Sequence, residues 1–166
     1  MHSVAIITVS DRSAAGERED ISGPEAAAAF DPETFRIELR EIVPDDRARI
    51  AEMLRRCVAE GYALIVTTGG TGFAQRDVTP EATLDVIERR ADGLAEAMRA
   101  ASLTFTKFAV LSRGVCGIAG RTLIVNLPGS PKGVRQCLDV IMPILPHALR
   151  VLRQDSIADI EHTGTT

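Results

Sequence analysis

Short apolar runs alternate along this chain with stretches in which apolar residues recur every three or four positions. Residues 4–9 and 62–67 are rich in β-branched side chains, which is typical of buried strands. Apolar residues at helical spacing occupy 50–58 and 134–145, and Gly61 is placed to end the first of these helices. This alternation predicts an α/β fold with helices on both faces of a mostly parallel sheet.

Weaker patterns predict the remaining elements. Apolar and charged residues alternate at 35–40, as in a half-exposed edge strand. Short apolar runs at 108–111 and 123–125 predict two further strands. Pro80 is placed to open a helix, and Thr79 before it is predicted to cap that helix.

Three loops rich in Gly, Ser and Asp each follow a predicted strand. Ser10 and Asp11 follow the first strand, residues 68–72 follow the central one, and residues 126–130 follow the last. Ligands of parallel sheets bind outside the carboxyl ends of the strands. We therefore expect the functional site at that edge.

Composition excludes some classes of partner. Nineteen Lys and Arg against 23 Asp and Glu give a net charge of −4, aromatic residues make up 4%, and Trp is absent. A nucleic-acid partner is disfavoured, because phosphate contacts need a basic face and base stacking needs aromatic rings. The three cysteines lie far apart, at Cys57, Cys116 and Cys137. We expect small buried hydrophobes there rather than a disulfide framework or a zinc site.

The chain length of 166 residues is typical of one domain. We expect that domain over residues 1–153, followed by a polar tail at 154–166. No apolar run approaches the roughly 20 residues of a membrane span, and the start of the chain lacks the basic region of a signal peptide. A cytoplasmic location without membrane contact is the expectation.

The glycine-rich loop at 68–72 has two interpretations. Its glycines let the backbone turn N–H groups toward a phosphate, but a tight turn needs the same residues. Arg76 and Asp77 follow the loop, and they are suited either to a phosphate and Mg²⁺ or to a solvated surface. Of the adjacent pair Asp45 and Asp46, one carboxylate is expected to cap a helix, and the other is free to face a cleft.

Five segments, in order, resemble one family. They are residues 8–11, 20–24, 43–45, 68–82 with the string GGTGFAQRDVTPEA, and 111–113 followed by NLPGSP at 126–131. Together they resemble the molybdopterin adenylyltransferase family, which includes the MogA and MoaB proteins and the G domains of gephyrin and its plant counterpart. The resemblance covers residues 4 to about 150.

The resemblance implies a three-layer α/β/α sandwich that assembles as a homotrimer. It also implies a reaction in molybdenum cofactor biosynthesis, in which Mg-ATP and molybdopterin give adenylyl-molybdopterin and pyrophosphate. A separate molybdenum-insertion enzyme would then take the product. Transfer of this kind depends mainly on positioning and charge neutralisation, which backbone N–H groups, Arg and Mg²⁺ supply.

The resemblance also assigns site residues. Asp45 and Asp77 match the family's essential carboxylates, which hold Mg²⁺ and orient the phosphates. The phosphate-binding positions are Gly69, Gly70, Thr71, Gly72, Ser112 and, as an assistant, Arg113. The residues expected to line the cleft are Ser10, Asp11, Ser22, Gly23, Asn126, Pro128, Gly129 and Ser130. Ile21 departs from the family, which commonly has a basic residue there.

Two other functions compete with an active adenylyltransferase. One is a non-catalytic molybdopterin-binding or scaffold paralogue, since fold does not fix function. The other is a related domain that acts in molybdenum insertion or on another nucleotide, although such relatives usually carry extra domains. The intact pair Asp45 and Asp77 favours the enzyme.

Overall fold

The computed structural model describes residues 1–153, and the polar tail expected at 154–166 lies outside them. The strands are β1 (His2–Val9), β2 (Phe35–Val43), β3 (Leu64–Thr68), β4 (Arg89–Arg90), β5 (Cys116–Ala119) and β6 (Thr122–Leu127). The helices are α1 (Asp11–Ala14), α2 (Ser22–Ala28), α3 (Arg47–Glu60), α4 (Thr79–Leu84), α5 (Asp92–Ser102), α6 (Pro131–Ile141) and α7 (Leu145–Arg153), with a 3-10 helix at Lys107–Leu111. None of these helices has the length and apolar character needed to cross a membrane.

The six strands form one sheet in the order β2-β1-β3-β6-β5-β4. The four strands β2, β1, β3 and β6 are parallel, whereas β5 and β4 are antiparallel to their neighbours. The predicted α/β class with a mostly parallel sheet is therefore confirmed, and β2 is the edge strand expected from its alternating pattern.

Two hydrophobic cores cover opposite faces of this sheet, because successive side chains of a strand point to opposite sides. In β1, Val4 and Ile6 belong to the core shared with α2, α5, α6 and α7. Ala5 and Ile7 belong to the core shared with α3 and α4. Strands buried on both faces are continuously apolar, which explains why the runs in β1 and β3 have no polar alternation. Cys57, Cys116 and Cys137 are buried, as expected.

The expectation of a strand at 108–111 is wrong. Residues Lys107–Leu111 form a 3-10 helix that begins where the Thr106 side chain accepts a hydrogen bond from the Phe108 N–H. Phe108 and Val110 are 67% and 62% exposed, so this apolar run does not enter the sheet. Instead β5 pairs with β6 through a tight turn at Gly120, whose φ is 56°.

The predicted cap at Thr79 is also wrong. Val78 holds the capping position of α4, and the Thr79 hydroxyl donates to the carbonyl of Gly69 at 3.0 Å. This buried bond ties the glycine-rich loop to the start of α4. By contrast Gly61 ends α3 in the left-handed conformation, as predicted.

Three strands converge at Gly69, which follows the carboxyl end of β3. Its N–H donates to the carbonyl of Leu127 at the end of β6. Its φ is +92°, and a Cβ there would lie 2.4 Å from the carbonyl oxygen of Val9 at the end of β1. Gly129 packs against it as well, since a Cβ on Gly129 would lie 3.3 Å from the Gly69 Cα. Only glycine fits this position.

We predict that Gly69→Ala lowers the free energy of unfolding by at least about 2 kcal/mol, because it combines left-handed strain with a backbone clash. Gly93→Ala is the matched control, since nothing lies within 4 Å of a Cβ there and Gly93 is in α5. That change should stabilise the protein by about 0.4–1 kcal/mol. Urea denaturation measures both, and equal effects of the two substitutions would contradict the account of Gly69.

Candidate active site at the carboxyl edge of the sheet

A cleft with two lobes lies along the carboxyl ends of the parallel strands. The first lobe has a volume of about 550 Å³ and the second about 410 Å³. Both are lined by Gly70, Asp77, Gly129 and Ser130, so these residues form the junction between them. The expected position of the site, outside the strand ends, agrees with this cleft.

The larger lobe, called the apolar lobe here, has a wall of mainly hydrophobic groups. One face of α5 contributes Met98, Arg99 and Ser102, and the segment after it contributes Phe105 and Phe108. Rings and methylenes in such a concave wall suit a flat heterocycle, and the few polar groups among them can orient it.

The smaller lobe, called the polar lobe here, has a wall of charged and hydroxyl groups. Its lining residues include the acidic residues Asp11, Asp20, Asp45 and Asp77, the arginines Arg12, Arg18 and Arg76, and the hydroxyl residues Ser10, Ser13, Ser22 and Thr68. The Thr68 hydroxyl is buried and has no hydrogen-bond partner within residues 1–153. A lobe of this composition suits phosphate groups and a cation.

Asp45 and Asp11 hold each other in a reciprocal pair. The Asp11 N–H donates to Oδ2 of Asp45 at 2.9 Å, and the Asp45 N–H donates to Oδ1 of Asp11 at 2.9 Å. The helix cap belongs to Asp46, which accepts from the Arg49 N–H at 2.9 Å. Asp46 therefore caps α3, whereas Asp45 lines the polar lobe of the cleft.

The surroundings of Asp45 disfavour the ionised form of its carboxyl. Burial raises the pKa of this carboxyl, a backbone hydrogen bond from Asp11 lowers it, and the charges of Asp11 and Asp77 raise it. Arg76 lowers the pKa of Asp45, but the net result stays above the usual value. Excess negative charge in a polar lobe favours the binding of a cation.

Asp77 is fixed by the turn that contains it. Its Oδ2 accepts from the Ala74 N–H at 3.0 Å, and its own N–H donates to the Ala74 carbonyl at 2.9 Å. A Cβ on Gly72 would lie 2.9 Å from the same Oδ2, so glycine there lets the carboxylate lie against the loop. Within residues 1–153 no group of three or more His, Cys, Asp or Glu is arranged to hold a metal. Asp45 and Asp77, the carboxylates expected to hold magnesium, both line the polar lobe.

The other residues expected at the cleft fall into two groups. Those that line one or both lobes are Ser10, Asp11, Ser22, Gly69, Gly70, Thr71, Gly72, Ser112, Asn126, Pro128, Gly129 and Ser130. Gly23 and Arg113 line neither lobe. Gly23 instead donates its N–H to Asp20 at 3.0 Å, and a Cβ there would meet Asp20 and Thr8.

Two side chains that line the cleft form hydrogen bonds with other protein groups. The Asn126 amide donates to Thr67 and Thr83 and accepts from the Val115 N–H, so it holds β6 in place. Ser22 donates to the Gly129 carbonyl at 2.6 Å and fixes the turn after β6.

Sequence reasoning missed several cleft residues. The missed side chains are Arg12, Arg18, Met98, Arg99, Ser102, Phe105, Phe108 and Lys132. The spacing of Ala95, Met98, Arg99 and Ser102 indicates only that they share one face of α5. Nothing in the sequence indicates that this face borders a cleft. Arg12 and Arg18 bring positive charge to the polar lobe, which Ile21 also lines.

The fold and the cleft define the class of protein: an α/β domain with its site at the carboxyl edge of a mostly parallel sheet. The family model for the "Probable molybdopterin binding domain" matches residues 5–147. This chain belongs to that family.

Similar proteins include both short and long chains. The chain is 39% identical over 155 residues to the molybdopterin adenylyltransferase of Helicobacter pylori strain J99, covering 90% of this chain and 86% of that protein. It is 43% identical over 153 residues to the molybdenum cofactor synthesis protein cinnamon of Drosophila melanogaster. There the match covers 90% of this chain but 25% of the relative, so the chain spans about a quarter of that protein.

Solved structures of similar proteins have the same fold. The molybdopterin biosynthesis enzyme MoaB from Thermus thermophilus superposes with a TM-score of 0.87 at 48% identity. That superposition covers 92% of this chain and 96% of the other.

We predict opposite effects on stability for the two adjacent acids. Because the pKa of Asp45 is raised, its ionised form costs folding free energy at every pH above its usual titration range. Asp45→Asn should therefore raise the free energy of unfolding at pH 7, and the gain should vanish as the pH falls below about 4, where the unfolded carboxyl is also protonated. Asp46→Ala, which removes the cap of α3, should lower the free energy of unfolding by about 1 kcal/mol at pH 7.

Urea denaturation at pH 7 and at pH 3.5 measures both variants. A loss of stability for Asp45→Asn at pH 7 would contradict the conclusion that the site disfavours the ionised form of Asp45.

Proposed function

We propose that this chain is a molybdopterin adenylyltransferase, a nucleotidyltransferase of molybdenum cofactor biosynthesis. An oxygen of molybdopterin attacks the α-phosphorus of ATP, the bond from that phosphorus to pyrophosphate breaks, and adenylyl-molybdopterin and pyrophosphate are formed. One observation carries the proposal. Asp45 and Asp77, which match the family's essential carboxylates, lie together on the polar lobe where the glycine-rich loop joins the two lobes.

The two lobes fit the ring systems and the phosphate groups of the substrates. Ring systems suit the apolar lobe, and phosphates suit the polar lobe with Arg12, Arg18 and Arg76. The junction residues Gly70 and Ser130 border both. Reaction at this junction would bring the attacking oxygen and the α-phosphorus together, and such positioning supplies much of the rate in transfers of this type.

Mg²⁺ fits the donor set of the polar lobe. Asp45 and Asp77 supply carboxylate oxygens, which are its preferred ligands. Burial raises the pKa of Asp45, and the charges of Asp11 and Asp77, which a cation would offset, raise it further. Bound there, Mg²⁺ would neutralise phosphate charge. The backbone N–H groups of residues 69–72 and the Ser112 hydroxyl are available to orient the phosphates, as the resemblance implies.

Other parts of the proposal rest on the resemblance. We expect a homotrimer, a cytoplasmic location, and delivery of the product to a molybdenum-insertion enzyme. Light scattering after size-exclusion chromatography tests the trimer.

We predict that the purified protein releases pyrophosphate from ATP only when molybdopterin and Mg²⁺ are both present. Chelation by EDTA should abolish the release, and added Mg²⁺ should restore it. Asp77→Asn should lower kcat by about 100- to 1000-fold, because one positioned charge is lost at the reacting phosphates. Asp46→Asn is the control, since Asn also caps helices and residue 46 lies outside both lobes.

No pyrophosphate release from the wild-type protein, beside an active control enzyme, would overturn the proposal. The scaffold paralogue predicts a different binding pattern: titration calorimetry would detect binding of molybdopterin but none of Mg-ATP. The adenylyltransferase should bind both, and Asp77→Asn should weaken only the binding of Mg-ATP.

A further inference from the structure

Arg113 follows the 3-10 helix and is one of the residues expected to bind phosphate, but its side chain forms its hydrogen bonds with the protein itself. Ser112 and Gly114 on either side of it line the apolar lobe, whereas Arg113 lines neither lobe. Its side chain is 33% exposed. A phosphate at the junction would therefore meet its neighbours before its guanidinium.

All three guanidinium nitrogens of Arg113 donate to one segment of the chain. Nε donates to the carbonyl of Gly72 at 2.8 Å, and Nη2 donates to the carbonyl of Asp77 at 2.6 Å. Nη1 donates to Oε1 of Glu81 in the first turn of α4. The backbone N–H of Arg113 also donates to the carbonyl of Thr71 at 2.8 Å. These contacts bracket residues 72–77, the turn that carries Asp77.

Glu81 completes this arrangement. Burial alone would raise the pKa of its carboxyl, but the hydrogen bond and charge of Arg113 hold that pKa below its usual value. The carboxylate therefore stays ionised and keeps the guanidinium in one orientation. Its Oε1 accepts the hydrogen bond from Arg113, whereas its Oε2 is buried and has no hydrogen-bond partner within residues 1–153.

We propose that Arg113 is a positioning residue, which holds the turn at 72–77 closed and so fixes the Asp77 carboxylate at the junction of the two lobes. The planar fork of the guanidinium reaches two backbone carbonyls and a carboxylate at once. The ammonium of lysine lacks that fork. The effect of Arg113 on catalysis rests on the proposed function, whereas its effect on the turn does not.

The first test measures the turn without any substrate. Trypsin cleaves after Arg76, inside the turn, and after Arg18, in a separate loop. Arg113→Ala should speed cleavage after Arg76 at least about tenfold, because local opening exposes the bond, while cleavage after Arg18 stays constant. Arg56→Ala is the matched control: it breaks the ion pair with Glu60 within α3, away from the turn. Equal cleavage after Arg76 in Arg113→Ala and the wild type would overturn the inference.

The second test measures pyrophosphate release. Arg113→Ala should lower kcat by about 10- to 100-fold through misplacement of Asp77, with the KM for Mg-ATP changed less than about threefold. Arg113→Lys should recover little of the loss. A rise in KM with kcat preserved, or full rescue by lysine, would identify Arg113 as a direct phosphate ligand and overturn the inference. Glu81→Gln provides a milder second variant should Arg113→Ala fail to fold, and it should change cleavage and kcat in the same directions.

The two tests separate the two proposals. Faster cleavage after Arg76 in a protein whose wild type releases no pyrophosphate would leave the positioning role intact and reject the adenylyltransferase. Pyrophosphate release by the wild type, together with unchanged cleavage after Arg76 in Arg113→Ala and Glu81→Gln, would support the adenylyltransferase and reject the positioning role.

Discussion

The architecture of the site depends on the absence of a side chain at Gly69. The carbonyl of Val9 and the Cα of Gly129 both lie where a Cβ would intrude, and Leu127 accepts the Gly69 N–H. Because this position is so close-packed, the strands β1, β3 and β6 end together, and the loops that follow them share one cleft. The junction residues Gly70 and Gly129 are therefore placed by packing at the sheet edge.

The protein holds its cleft carboxylates mostly with backbone N–H groups. Asp11 and Asp45 accept each other's N–H, and Asp77 accepts from Ala74. Arg113 binds backbone carbonyls and Glu81 rather than a cleft carboxylate. Fixing an acid by amide donors keeps its charge available, since no side-chain cation neutralises it directly. At Asp45, burial and the charges of Asp11 and Asp77 outweigh the amide hydrogen bond and raise the pKa of the carboxyl, and a lobe with this charge attracts a cation.

Periodicity predicted the elements that carry their own local signal. The central strands are apolar on both faces and α3 has an apolar stripe and a terminal glycine, so both were predicted from spacing alone. The run at 108–111 carried the same signal as a strand, yet no neighbouring strand pairs with it, and the Thr106 cap turns it into a 3-10 helix. Strand pairing is a tertiary property, which a local pattern does not contain.

The direction of a side chain is also a tertiary property, so local patterns predict the site only in part. The motifs predicted Asp45, Asp77 and the glycine loop at the carboxyl edge of the sheet, but they could not say that Asp46 takes the cap or that Arg113 lies outside both lobes. Net charge was a still weaker guide. A protein with a net charge of −4 is proposed to bind two anionic substrates, because the local arrangement of Arg12, Arg18 and backbone N–H groups decides the potential in the cleft. Such short-range donors act within a few ångströms, whereas charges on the far surface are screened by salt over about 10 Å.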